Sequence, residues 1–393
     1  MKKRKNHLTK PNIGNHMKRI RCAVIGTGAR CRNLIRHLLC HAQGALDIAA
    51  VYDPEPSMRE RFFRDLCLPE VKNSPSAEAA IHTPGVEWVI VASPNSFHCE
   101  HILAAFAAGK NVFAEKPLAT CIADCQAIEE AHRKAGTIFA TGFVLRYSPL
   151  YARTKELLDS GRFGKILSIE ANENIYPEHG GYMLTSWRRL RKFGGPHILE
   201  KCCHDMDLLE WFTGSLPVRV QAVAARRFFT PDRAYLMDKY PPGTLMEKSN
   251  RMQIDSPFTD DSDVDDTIFS FSEFRNGIIA SFSATMCNPL PERRMRFHCE
   301  YGTLVAEFYT MTLRYHFLGE KNEQCVSFGS CEEHGGGDGK IMGALWDSMQ
   351  NGTAPLCSGS EGLRSAVFSL ALDQAAHEHR IVDLEDVWKK LHC

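Results

Sequence analysis

The chain has no surplus of charge of either sign. Lys plus Arg and Asp plus Glu each number 47, so the formal net charge is zero. That balance removes the electrostatic footprint of a general nucleic-acid or anionic-membrane binder, and neither partner is expected. No run of 18 or more apolar residues occurs, so no membrane-spanning helix is expected either. The basic start, Met1 to Lys10, has no apolar stretch behind it and does not read as a secretory signal. Residues 1–18 read instead as a disordered basic tail, with Met17 as an alternative start. Internal repeats and low-complexity blocks are absent. Paired metal-ligand spacings are absent too. Cys202-Cys203 and Cys121-x-x-x-Cys125 each lack a second ligand pair, so no metal is expected. Cysteine itself is not scarce. Its 15 copies are odd in number and scattered through apolar patterns, as at Cys22, Cys40 and Cys99. That usage points to reduced thiols and a cytoplasmic protein.

At 393 residues the chain is long enough for two domains. Its first part alternates apolar strands with helical stretches. "IRCAVIG", "LDIAAVYD", "VEWVIVAS", "NVFAEKP" and "TIFATGFV" read as strands. Between them lie helices at Arg30 to Gln43, Ser57 to Leu66, Ser96 to Ala108 and Ile122 to Ala135. Strands of this kind, alternating with helices, predict an α/β fold with a doubly wound parallel sheet, the Rossmann arrangement, over residues 19–145.

Residues 146–393 have a different rhythm and read as an α+β domain with a mainly antiparallel sheet, whose last helices can return to the N-terminal domain. A helix at Ser148 to Ser160 leads into the alternating strand "KILSIEANENIY". A Gly-rich loop at 179–195 and a continuous helix from Pro196 to Thr213 follow. Strands are expected at 217–227 and 264–313, with a hairpin turning at Asn276-Gly277. Residues 229–263, rich in Pro, Asp and Met, read as a long loop or insertion over the second domain, or as disorder. Helices at 339–351, 359–379 and 384–391 close the chain.

Gly26-Thr27-Gly28-Ala29-Arg30 lies between the first strand and the first helix, where a dinucleotide fold needs glycines. Gly26 suits the tight turn, and Gly28 lets the backbone approach a pyrophosphate at the helix N-terminus. The third glycine of the usual spacing is replaced by Cys31, small enough for moderately close helix packing. Asp53 ends the second strand, about 25 residues further on, where a carboxylate accepts the ribose hydroxyls and repels a 2′-phosphate. That favours NAD over NADP. The other reading of Asp53 is a helix cap before Pro54.

Glu200-x-x-x-His204 places a carboxylate and an imidazole one helical turn apart if the helix is continuous. His204 is the candidate general base, because an imidazole titrates nearest neutrality. Further motifs appear in order: "ASPNSFHCEHILAAFAAGKNVFAEKPLA" (92–119), "GFVLRYSP" (142–149), "GGPHILEKCCHDMDLLEWFTG" (194–214) and "HGGGD" (334–338). Through these and "GTGAR", the sequence resembles the Gfo/Idh/MocA family of nicotinamide-dependent oxidoreductases over about residues 20–390.

The resemblance implies a hydride-transfer site. Lys116, His204 and Glu200 would be catalytic, Glu200 standing where the family usually has Asp. Lys116 would bond the reacting hydroxyl, and could relay its proton if its pKa were lowered. Lys116-Pro117 would be cis. Cofactor contacts would come from Gly26, Thr27, Gly28, Ala29, Arg30, Asp53, Ser93, Pro94, Asn95, His98, Glu115 and Lys116. The substrate would meet Arg146, Tyr147, Tyr182, Trp187, Arg188 and Asp207, with His179 in the same Gly-rich loop. For His98 a helix cap, and for Arg146 a domain-joining contact, are the structural alternatives. The implied activity is NAD(P)-dependent oxidation or reduction of a secondary hydroxyl on a sugar, glycoside or cyclitol. The alternatives are NAD-dependent glycoside cleavage through transient ring oxidation, and a non-catalytic dinucleotide-binding protein. The implied assembly is a homodimer or homotetramer through the C-terminal sheet.

Overall fold

Five short apolar strands are almost wholly buried: β1 (Ile20–Ile25), β2 (Leu46–Tyr52), β3 (Trp88–Val91), β4 (Asn111–Ala114) and β5 (Phe139–Thr141). Backbone with both faces covered must satisfy its polar groups within a sheet, and a helix-linked run of strands does so in parallel. In the computed structural model all neighbouring pairs are parallel, in the order β2-β1-β3-β4-β5. The order reverses between β1 and β3, so the crevice at their carboxyl ends is the natural ligand position. The structure describes residues 17–68, 71, 73–247, 252–329 and 333–393. Most of the expected N-terminal tail, residues 1–16, lies outside them. Lys18 is anchored: its backbone amide donates to Gln350 and its ammonium pairs with Glu87.

The remaining strands form one mixed sheet: β6 (Ile166–Asn174), β7 (Pro217–Ala225), β8 (Thr267–Phe274), β9 (Ile279–Thr285), β10 (Glu292–Cys299), β11 (Gly302–Glu307), β12 (Thr312–Phe317), β13 (Gln324–Ser327) and β14 (Val382–Asp383). Their order is β13-β12-β11-β10-β6-β9-β8-β7-β14, antiparallel except for the β6/β9 pair. The β8/β9 hairpin turns at Asn276-Gly277, with Gly277 at φ 86°. The sheet packs one face against helices Cys203–Thr213 and Gly359–Glu378. The latter helix also contacts β5, so the C-terminal part folds back on the first sheet.

Two expectations are corrected. Residues 179–195 are not an open loop. They hold helix Pro177–Leu184, a 3-10 turn at Trp187–Arg189 and a helical turn at Arg191–Gly194. The glycines serve close packing: a Cβ on Gly180 would lie 2.1 Å from the Met286 carbonyl oxygen, and one on Gly181 2.2 Å from Leu245. The helix expected over 196–213 is broken into His197–Glu200 and Cys203–Thr213, with a turn at Lys201-Cys202 between them. The long insertion expected over the second domain is there, and residues 229–247 and 252–263 form it as an ordered cover. Phe229, Leu245 and Phe258 build a small second core with Ile175, Met183, Leu184 and Met286. Arg226 ties this cover through the carbonyls of Pro257 (2.6 Å) and Ser262 (2.9 Å) and the carboxylate of Asp260 (2.8 Å).

Candidate active site

The glycine turn at the end of β1 is shaped by contact as well as by torsion. Gly26 sits at φ 83°, and a Cβ there would lie 2.5 Å from the Ala92 and Ser93 backbone. Gly28 caps helix Ala29–Ala42 with no side-chain partner, and a Cβ on it would meet nothing within 4 Å. Open space above uncapped first-turn N–H groups fits a pyrophosphate. Asp53 Oδ2 accepts from the Thr27 amide (2.8 Å) and hydroxyl (2.9 Å), while Oδ1 accepts from the Glu55 amide (3.0 Å). Asp53 thus braces the glycine turn at the mouth of β2. Arg59 donates to the Asp53 carbonyl.

At the end of β4, Glu115 accepts from Arg30 Nε at 3.1 Å and from the Lys116 amide at 3.2 Å. Lys116-Pro117 is cis. Lys116 Nζ donates to the Glu200 backbone carbonyl at 2.8 Å. Burial works against the ammonium, but Glu200, with Cys203 and Glu115, outweighs it and raises the Lys116 pKa. The condition for Lys116 to relay a proton is therefore not met; it stays a cation and a donor.

Glu200 does not present a free carboxylate. Asn95 Nδ2 donates to Oε2 at 2.6 Å, and Arg188 Nε donates to Oε1 at 2.5 Å. Burial would raise its pKa, yet Lys116 and Arg188 prevail and keep it ionised. Arg188 lies between two aromatic faces, 4.1 Å from the Trp187 ring centre and 4.7 Å from that of Tyr182. The helix break puts Glu200 and His204 on separate segments, so they do not share one regular helical turn. His204 is buried, its Nδ1 has no hydrogen-bond partner, and its ring meets Phe143 edge-on at 5.6 Å. Burial first, then the Lys116 charge, hold its pKa well below the ordinary value, so the imidazole is neutral.

Other expected residues go elsewhere. His98 has Nδ1 2.7 Å from the Pro117 carbonyl and Nε2 2.7 Å from that of Ser93. The neutral ring donates its one N–H to one of these carbonyls, and with an oxygen against each nitrogen neither is open to a cofactor. Ser93 Oγ meets His101 at 3.0 Å. Arg146 and Asp207 form a buried bidentate pair (2.9 and 2.6 Å), and Arg146 also bonds Glu361 at 2.6 Å, so the pair is not presented as substrate ligands. Tyr147 packs against Phe143, Cys203 and Cys357.

The structure adds groups that sequence reasoning did not select. Lys201, at the helix break, pairs with buried Glu173 at 3.3 Å. Glu173 and Asp205 flank Arg293. His334 meets Asp338 at 3.1 Å, and Asp338 accepts from Arg30 at 2.7 Å. The signal for this last group was the "HGGGD" motif, which carried the resemblance but had no assigned role.

Residues 20–143 match the model of an oxidoreductase family with an NAD-binding Rossmann fold, GFO_IDH_MocA, and residues 151–305 match the GFO/IDH/MocA C-terminal domain. The chain belongs to the Gfo/Idh/MocA oxidoreductase family. Its first sheet is that family's NAD-binding domain, and NAD is its cofactor. Among curated relatives, an inositol 2-dehydrogenase of Pseudomonas fluorescens (strain Pf-5) is 33% identical over 60% of this chain and 66% of its own length. A 2,7-anhydro-N-acetylneuraminate hydratase of Escherichia coli K12 is 29% identical over 58% of this chain and 60% of its own. The match to either thus spans less than two thirds of that relative. Levoglucosan dehydrogenase, solved with NADH and levoglucosan, superposes with a TM-score of 0.78 over 93% of this chain and 99% of its own, at 18% identity. At that identity the superposition establishes the fold. Among the described residues, no helix is long and apolar enough to cross a membrane.

Proposed function

We propose that the chain is an NAD-dependent dehydrogenase acting on a secondary hydroxyl of a sugar, glycoside or cyclitol. The observation that carries this reading is the meeting of a fixed ammonium, Lys116, with a neutral and unpartnered imidazole, His204, beside the carboxyl end of β4. Removing hydrogen from a secondary alcohol needs a base for the O–H proton and a donor for the oxygen. His204, neutral, takes the proton. Lys116, kept charged, donates to the oxygen and stabilises the developing alkoxide. NAD supplies the two-electron acceptor. Glu200 acts one step back: its backbone carbonyl holds Lys116 and its carboxylate holds Arg188. Arg188, Trp187 and Tyr182 form a planar, donor-bearing wall suited to a polyhydroxylated ring.

The test is a panel of inositols, hexoses and glycosides incubated with NAD and followed at 340 nm. Lys116→Ala and His204→Ala should each lower turnover on the active compound by roughly 10²- to 10⁴-fold, with NAD affinity nearly unchanged. Full turnover in both variants would remove the assignment. The hydratase among the relatives favours a second reading, in which transient ring oxidation permits elimination and the cofactor is regenerated. Product formation without net NADH selects it.

A further inference from the structure

Two histidines from distant parts of the chain meet, and one of them, His204, lies within reach of the Lys116 charge. The His204 and His334 ring centres are 6.3 Å apart. His334 opens the "HGGGD" turn, and it stands at φ 54°, a left-handed conformation that is unfavourable for a side chain with a Cβ. The residues after it are glycines for a visible reason. A Cβ on Gly335 would lie 2.7 Å from Ser148 Oγ, and one on Gly337 2.5 Å from the Val144 carbonyl. The turn is pressed onto residues 144–148, and position 334 carries a side chain despite the backbone cost.

That side chain is oriented. Its Nδ1 meets Asp338 Oδ2 at 3.1 Å, and Asp338 Oδ1 accepts from Arg30 Nη1 at 2.7 Å. Burial opposes the Asp338 charge, but His334 and Arg30 outweigh it and hold the carboxylate ionised. An ionised acceptor on Nδ1 fixes the tautomer, leaving the lone pair on Nε2. Burial keeps the His334 imidazole below its usual pKa even with Asp338 beside it, so the ring is neutral. Nε2 has no hydrogen-bond partner among the described residues.

We propose that His334, oriented by Asp338, is a second substrate-binding imidazole whose Nε2 accepts a hydrogen bond from a hydroxyl neighbouring the one at His204. The site is thereby matched to polyols with at least two adjacent hydroxyls, and selects against mono-alcohols. This rests on the polyol reading above. The probes are myo-inositol, levoglucosan and cyclohexanol, added to the NAD-loaded enzyme. The imidazole resonances are followed by NMR, with that of His334 assigned from His334→Gln. Myo-inositol or levoglucosan should shift the His334 signal, and cyclohexanol should not. His334→Ala should raise KM for the responsive polyol about tenfold, the value of one hydrogen bond, with kcat within about threefold. NAD Kd and melting temperature should stay at wild-type values. His334→Gln, which can still offer an acceptor, should recover part of the KM. A silent His334 signal with both polyols overturns the proposal, as does an unchanged KM or a loss of NAD affinity in step with the KM change. A shifted His334 signal without NADH formation would leave the proposal standing and count against the dehydrogenase reading.

Discussion

Arg146 and Asp207 are 3% and 1% exposed, and the guanidinium is shared between Asp207 and Glu361. Burial raises the Asp207 pKa to about 6 even with Arg146 beside it, so the acid depends on its partner to stay charged. Removing one member of such a pair strands the other. Arg146→Ala is expected to cost about 3–5 kcal/mol of stability, read by chemical denaturation. Arg146→Met combined with Asp207→Leu should recover only part of that, because the Asp207 charge leaves with its partner while Glu361 keeps only Ser358 and, at 3.9 Å, Arg364. If Arg146 served the substrate instead, Arg146→Ala would raise KM and leave the denaturation midpoint in place. The same contrast separates Glu200 from the reacting centre. Its two oxygens are already taken by Asn95 and Arg188, and only its backbone touches Lys116.

At the level of the element, the second sheet buries one face and leaves the other open. Val223, Phe269, Phe271 and Ile279 stand 55–68% exposed on its free side. Register places Phe269 opposite Val223 and Phe271 opposite Gln221, so the aromatic residues of β8 form one patch with β7. Contiguous exposed apolar surface of this kind marks an interaction face. We propose that two copies of the chain pair through it. Phe271→Glu should weaken self-association by about 30-fold or more in sedimentation, the loss expected of a central aromatic contact. A wild-type protein that sediments as a monomer at all concentrations would remove the proposal. The break at Lys201-Cys202 is an element-scale decision as well. It frees the Glu200 carbonyl from the following helix for Lys116 and turns the Lys201 side chain toward Glu173.

Across the whole molecule, buried histidines are kept neutral. Burial first lowers His197 from 6.5 to about 4, and it lowers His101 to about 4 as well. Lys201 and then burial lower His179 to about 2. Burial acts likewise on His98 and His204. Each of these rings takes up a proton more readily unfolded than folded, so stability is complete above pH 6.5 and is lost as the pH falls toward 4. Below pH 6.5 the His197 contribution alone falls by about 1.4 kcal/mol per pH unit until its folded pKa is reached. Denaturation midpoints at pH 7.5, 5.5 and 4.5 should drop steeply, and His197→Gln should flatten the slope by one proton. A midpoint independent of pH between 7.5 and 5 would contradict the neutral-histidine arrangement.

The sequence by itself determined the parallel sheet, because short apolar runs alternating with helices are strands covered on both sides, and their crossovers favour one hand. It determined the hairpin at Asn276-Gly277 and the glycine turn at Gly26 and Gly28, where torsion or close approach admits little else. Its spacing singled out Glu200 and His204, and the family resemblance added Lys116. Tertiary structure alone decided what those side chains meet. Periodicity read 196–213 as one helix, and only packing around Lys116 and Glu173 shows the break. Arg146, Asp207 and His98 have the chemistry of ligands, yet each is consumed by a partner distant in sequence. His334 and Asp338 were visible as letters of a motif. Their bearing on the site depended on a turn that brings residue 334 beside residue 204. Local patterns decide whether a segment can be a strand or helix, because those forces act over a few residues. Which charges pair, and which polar atoms are left without a partner, is set by contacts that close only when the chain is folded.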